Sequence, residues 1–195
     1  MTRAALAALA CAACAAARPP PLVPLRPGLT LTYHGTVTDA AGAHDVTWRV
    51  EVRAVSVRDD ETRAAVRGDP ADLAFYTDDT RPGDYVVVLR GGAVYRGLAG
   101  DTPPELMVPE NLAAGARFCS SPQICWEVSG GGPADVSGVR GAPAGERRQF
   151  TLAERDNTGS IEIDFVPGVG VTRYAYHHNG SPGDVNVRLV QIDGM

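Results

Sequence analysis

Residues 46–53 read Val-Thr-Trp-Arg-Val-Glu-Val-Arg, and no other feature constrains the fold of this chain as much. Val46, Trp48, Val50 and Val52 fall on one face, and Thr47, Arg49, Glu51 and Arg53 on the other. A period of two belongs to a β-strand with one side on a core and one in water; a helix would scatter the same residues around its surface. After Ala54 the apolar phase slips to Val55 and Val57. One extra residue in a long strand produces such a slip, so a β-bulge is expected near Arg53-Ala54.

The same period recurs along the chain. Leu29, Leu31 and Tyr33 alternate with Thr30 and Thr32, and Asp39-Ala40-Ala41-Gly42 then supplies a hairpin turn. Asp59-Asp60 turns the chain into a strand over 62–67. The run Tyr85-Val86-Val87-Val88 is too apolar for a half-exposed strand and predicts a central one, which Gly91-Gly92 turns back into Ala93-Val94-Tyr95. Ile161, Ile163 and Phe165 alternate with Glu162 and Asp164, between turn signals at Asp156–Gly159 and Asn179-Gly180. Gly (22) and Pro (15) interrupt long helices, and only Pro104–Ala116 has room for one short helical turn. The Gly-rich stretches 129–133 and 141–145 read as long hairpin loops, so residues 28–195 form one domain with enough chain for one core. The expected fold is all-β: a single strongly curved antiparallel sheet, a half-barrel or open barrel, of roughly ten strands.

The amino terminus reads as an address. In MTRAALAALACAACAAA a single cation, Arg3, precedes an uncharged run from Ala4 to Ala17. That run is too short to span a bilayer and matches the apolar stretch of an export signal. Arg18-Pro19-Pro20-Pro21-Leu22-Val23-Pro24 cannot continue a helix. Residues 1–17 are therefore an export signal, and 18–27 a Pro-rich linker of roughly 3 Å per residue. Two endings of the signal compete. Ala15-Ala16-Ala17 would serve as a cleavage site and release a soluble protein. Ala12-Ala13-Cys14 resembles the tail of a bacterial lipobox, with Cys14 acylated as the new first residue, although Cys11 stands where Leu is usual. Cys11, after Ala8-Leu9-Ala10, is a second candidate. Lipid attachment is assigned to Cys14, and the membrane is thereby the first expected partner. Ala15 rather than Asp follows Cys14, so nothing there signals retention in an inner membrane. The expected location is the bacterial envelope, in the periplasm or on the outer membrane.

Cys119 and Cys125 flank Ser-Ser-Pro-Gln-Ile. In an oxidising compartment they form a small-loop disulfide, worth roughly 2 kcal/mol by loop closure. The rival is a metal pair, but C-x5-C is not a zinc spacing. Charge excludes one class of partner: 18 basic residues, all Arg, against 23 acidic ones give a net charge of -5 with no basic block. Nucleic-acid binding is not expected.

No catalytic residue, no cofactor and no metal ligand is expected, and the chain is not expected to be an enzyme. The histidines are His34, His44, His177 and His178. The last two, adjacent on a strand, point to opposite faces and cannot chelate one ion together. Ser160, His178 and Asp184 make a Ser-His-Asp set on paper, but no G-x-S-x-G elbow is present. Asp78, Asp79 and Asp84 lack the D-x-D-x-D-G pattern of a calcium loop. Tyr33, Trp48, Tyr85, Tyr174 and Tyr176 fall on strands, where core packing accounts for them.

Near the carboxyl end, Phe165-Val166-Pro167-Gly168-Val169-Gly170 is a strand-turn-strand. Pro167 presets the first turn position and Gly168 supplies positive φ, the requirements of a type II turn, and Gly170 admits a close approach. This F-x-P-G-V-G hairpin, with Pro24-Leu25-Arg26-Pro27-Gly28 before Tyr33, resembles a family of uncharacterised bacterial envelope proteins and lipoproteins. The resemblance implies a strongly curved antiparallel sheet, similar to the half-barrels of periplasmic lipoprotein carriers, and no known reaction. Two functions then compete. The domain is either a structural or interaction module bound to another envelope protein, or a carrier that cups an apolar ligand such as an acyl chain on its concave face. An exported hydrolase without a local motif is the third option. The discriminating feature is what fills the concave face: large side chains meeting across it leave a packed core, and empty volume leaves a pocket.

Overall fold

A computed structural model describes residues 21–100, 103–180 and 182–195. Cys11, Cys14 and Ala17 lie outside the described residues. The strands are β1 (Thr30–Asp39), β2 (Gly42–Arg58), β3 (Glu61–Arg67), β4 (Asp84–Arg90), β5 (Ala93–Leu98), β6 (Glu105–Val108) and β7 (Arg117–Ser121). They continue as β8 (Ile124–Val128), β9 (Gly132–Pro133), β10 (Arg148–Arg155), β11 (Gly159–Val166), β12 (Gly170–His178) and β13 (Val185–Asp193). All belong to one antiparallel sheet in the order β6-β5-β4-β3-β2-β1-β13-β12-β11-β10-β8-β7, with β9 beside β10. The sheet curves until β6 and β7 approach each other without sharing a ladder, giving a nearly closed barrel. Thirteen strands replace the roughly ten expected because the shortest carry too few residues to display a period. One of them corrects the helical turn read over 104–116: Glu105–Val108 is a strand whose buried Val108 pairs with Val94.

The expected bulge is present, with the β2–β3 register slipping between Val52 and Ala54. The Pro-Gly turn also forms as read, since Gly168 has φ 80 and the Val169 amide donates to the Val166 carbonyl at 2.9 Å. Turn chemistry sets the hairpins elsewhere too. Asp39 Oδ1 accepts from the Ala41 and Gly42 amides, and Asp156 Oδ1 from those of Thr158 and Gly159.

A barrel of eight strands is just filled by its own side chains, so twelve strands in the curve need something more inside. Connections supply it. The β3–β4 connection, residues 68–83, turns inward through a 3-10 turn, Pro70–Leu73, whose Leu73 is fully buried. It crosses the concave face, placing Tyr76 beside His44 of β2 and Phe75 edge-on to Tyr176 and His178 of β12, at ring-centroid distances of 5.5 and 5.1 Å. The amino-terminal segment closes the other side. The Gly168 amide donates to the Leu22 carbonyl at 2.9 Å and the Gly28 amide to the Val52 carbonyl at 2.8 Å, while Val23 and Leu25 pack on the core and Pro24 is buried. From Leu22 onward, the segment read as a spacer is thus a strap on the domain. Its physical reason is Leu-Val-Pro-Leu itself: these side chains have an apolar rim to bury against, which the Pro-based reading of stiffness ignored. Gly170 meets the same strap, since a Cβ there would lie 3.5 Å from Val23 Cγ1.

Candidate functional site on the concave face

Where β3 ends at Arg67, the Gly68 amide donates to the Gly83 carbonyl and draws the base of the connection together. Asp69 then caps the 3-10 turn. Its Oδ1 accepts from the Ala71 amide at 2.9 Å, and its own amide donates to Asp72 Oδ2 at 2.8 Å. Asp72 Oδ2 also accepts from the Gly83 amide at 3.1 Å, while Asp72 Oδ1 takes the Tyr85 hydroxyl proton in a short hydrogen bond. Arg96, brought in from β5, donates from Nη1 to Asp69 Oδ1 at 2.7 Å, with side-chain exposures of 28% for Arg96 and 14% for Asp69. Its guanidinium also lies 5.8 Å from the Tyr85 ring centre. In the same interior the Tyr33 hydroxyl donates to the Val171 carbonyl at 2.9 Å, tying β1 to β12.

Electrostatics makes this a closed network. Burial pushes the Tyr33 and Tyr174 phenols up from their ordinary value, with the charge of Asp69 adding to it. The Tyr85 phenol rises through burial and its bond to Asp72. Burial opposes the charge of Arg96, but Asp69 outweighs it and the net shift is upward. All three tyrosines are therefore neutral near neutral pH, Tyr33 and Tyr85 as hydrogen-bond donors, and the cation is committed to Asp69.

Between this cluster and the strap lies a cavity of about 80 Å³, walled by Val23, Leu25, Leu31, Val50, Val87 and Phe165 among others. Drug-sized ligands occupy about 300–1,000 Å³. Beneath the strap the concave face is therefore packed for the most part, with a small apolar remainder.

The other candidates named from the sequence are dispersed. Cys119 and Cys125 are joined by a disulfide across the β7–β8 ladder, with Cα atoms 4.0 Å apart, which pins the hairpin at the edge of the sheet. His44 contacts Asp39 at 3.0 Å, His34 lies 3.4 Å from the Thr47 hydroxyl, and His178 packs on Phe75. Asp184 binds Nδ1 of His177 at 2.5 Å, not His178, and Ser160 stands opposite His177 in the β11–β12 ladder. The set read as Ser160, His178 and Asp184 is thus corrected: His178 takes the concave face with Phe75, and its neighbour takes the outer one. That surface pairing is exposed, and among the described residues no hydrogen bond joins Ser160 to His177.

The class these features define is a nearly closed antiparallel β-barrel, plugged from inside by its own connections. No protein-family model matches the chain, and no curated protein matches it significantly in sequence. Among solved structures, it is similar to a Bacteroides fragilis protein taken to be exported and described as having a YmcC-like fold. The TM-score is 0.51 at 12% identity, over 89% of this chain and 99% of that one. A second structure, of a Parabacteroides distasonis protein taken to be a lipoprotein, gives a TM-score of 0.46 at 11% identity, over 90% of this chain and all of that one. At these identities the likeness to the first extends to the fold.

Proposed function

We propose that the protein is an exported envelope protein, anchored by lipid at Cys14, that acts as a structural or interaction module. The plugged interior carries the choice of module over carrier. Strap, 3-10 turn and buried Asp69–Arg96 pair leave about 80 Å³, well below the volume of an ordinary ligand site. Export is supported by the signal-like residues 1–17, by the Cys119–Cys125 disulfide, which belongs to oxidising compartments, and by the fold shared with a protein taken to be exported. A carrier of acyl chains is the second reading. It is favoured by one observation: the strap is itself a wall of the apolar cavity, so its departure would enlarge and open that space.

Two measurements test this. Membrane fractionation of Cys14→Ser against wild type reads the anchor, and release into the soluble fraction is expected. Unchanged membrane association would refute lipidation at Cys14. Intact mass of protein taken from its own membranes, under native and then denaturing conditions, separates module from carrier. The expected native mass equals the denatured one; a molecule that leaves on denaturation would establish the carrier.

A further inference from the structure

The concave face carries one acid with no partner. Glu154 follows Phe150 and Leu152 at period two on β10 and is 8% exposed. Among the described residues it makes no hydrogen bond and no ion pair. The other buried acid, Asp164, accepts a hydrogen bond from Thr151 at 2.8 Å and lies 4.0 Å from Arg173. Its carboxylate reaches water only at the rim of the sheet, where it loses part of its hydration without gaining a donor, and such a group at the mouth of a cavity points to something that completes it.

The sheet register supplies the surroundings. Phe118 pairs with Trp126, Trp126 with Glu154, Glu154 with Ile161, and Ile161 with Tyr176, so five neighbouring strands place three aromatics and one carboxylate in a single row. The Phe118 and Trp126 rings stack, with planes 9° apart. Glu154, Ile161 and Tyr176 border an opening of about 180 Å³, together with Ile124 and the turn at Asp156–Gly159. Burial pushes the Glu154 carboxyl up from its ordinary value, and the nearby negative charge of Asp156 adds to this. A cation entering the opening would relieve both.

We propose that Glu154 and the aromatic row around it bind an organic cation, an alkylammonium or guanidinium head on an apolar stem. The carboxylate meets the charge, the face of Tyr176 attracts it through its quadrupole, and Ile161 with Ile124 receives the stem; Trp126, opposite Glu154 in the ladder, stands next to the bound charge. A hard metal ion fits poorly. Calcium takes six to eight oxygen ligands, and the Oδ1 atom of the nearest second acid, Asp156, already accepts from Thr158 twice and from Gly159. The pocket stands apart from the strapped cavity, so the proposal holds or fails independently of the choice between module and carrier.

The test follows the two indole N–H resonances of the purified protein by NMR during titration with n-butylguanidinium and n-butylammonium. The Trp126 signal is expected to shift saturably while that of Trp48, buried on β2, stays still. Glu154→Gln should weaken binding about ten-fold or more, the loss expected for one charge-assisted bond. N-butylurea, the neutral analogue, should produce no saturable shift. Equal binding by Glu154→Gln or by butylurea would overturn the proposal, as would a Trp126 signal that never moves. If Glu154→Gln fails to fold, Glu154→Asp withdraws the carboxylate by one methylene and should weaken binding several-fold; unchanged affinity would refute the assignment. Titration with Ala-Lys-Ala and its acetyl-lysine counterpart separates a free amine from a peptide side chain as the source of the cation.

Discussion

Asp69→Asn isolates the worth of one buried charge. The amide keeps a side-chain oxygen for the Ala71 amide, so the cap of the 3-10 turn survives. What disappears is the countercharge 2.7 Å from Arg96. Asp72 is the next acid, but its carboxylate already serves Tyr85 and the amides of Asp69 and Gly83. Removing one partner of a buried pair costs about 3–5 kcal/mol. With Arg96 28% exposed, water recovers part of that, so about 3 kcal/mol is expected. In a domain of this size each kcal/mol moves Tm by about 2–4 °C, and the variant should melt roughly 6–12 °C lower. Near-UV circular dichroism at pH 7, with the disulfide intact, reads the transition. Arg96→Met added to Asp69→Asn should restore most of the loss, because a well-packed apolar substitute for a buried pair is often neutral. A drop of less than about 2 °C in the single variant, or a double variant worse than the two singles together, would refute the assignment of this pair as a buried electrostatic clamp.

Three further perturbations probe separate features. Gly168→Val places a β-branched residue at φ 80 and should cost about 1–2 kcal/mol in urea unfolding; a loss no larger than that of an ordinary surface change would contradict the type II turn. Tyr33→Phe removes the hydroxyl bonded to Val171 and should cost about 1 kcal/mol, while a variant as stable as wild type would make that bond between β1 and β12 energetically idle. Glu154 has a raised carboxyl in the folded state. Between its unfolded and folded values the native state holds the extra proton, so Glu154 subtracts stability as pH rises through the unfolded value. Glu154→Gln should therefore gain on wild type as pH rises above the ordinary glutamate value in parallel unfolding curves, and a difference that does not change with pH would contradict the sign.

The fold was legible wherever a strand was long enough to show its period. Val46–Arg53, Ile161–Phe165 and the Val52/Ala54 slip rest on alternation alone, and the Pro167–Gly168 turn rests on two residues with fixed dihedral demands. Glu105–Val108 was not legible, because four residues display no period and their pairing with β5 is non-local. The strap was missed because prolines were read as stiffness while the apolar residues between them looked for a surface the sequence does not display. Glu154 left a signal that went unread. Continuing the inward phase of Phe150 and Leu152 places a carboxylate on the core face, and a polar residue at an inward position is informative. Its aromatic neighbours come from three other strands, which no local pattern can bring together. The Asp69–Arg96 pair was hidden in the same way, its members lying on opposite sides of a hairpin and joined only when the β3–β4 connection folds inward.

The first strand of the sheet lies between the second and the last: Thr30 pairs with both Glu51 and Asp193. One edge of β1 therefore stays unmatched until β13 has emerged, and the ladder that unites the two halves of the sheet closes only across nearly the whole domain. Contacts so distant in sequence make folding slow. For the exported chain proposed here, slowness is useful. A polypeptide that cannot complete its sheet remains threadable through a translocation channel, and the closing of β1 on β13 becomes a checkpoint that is passed only after the last strand has crossed.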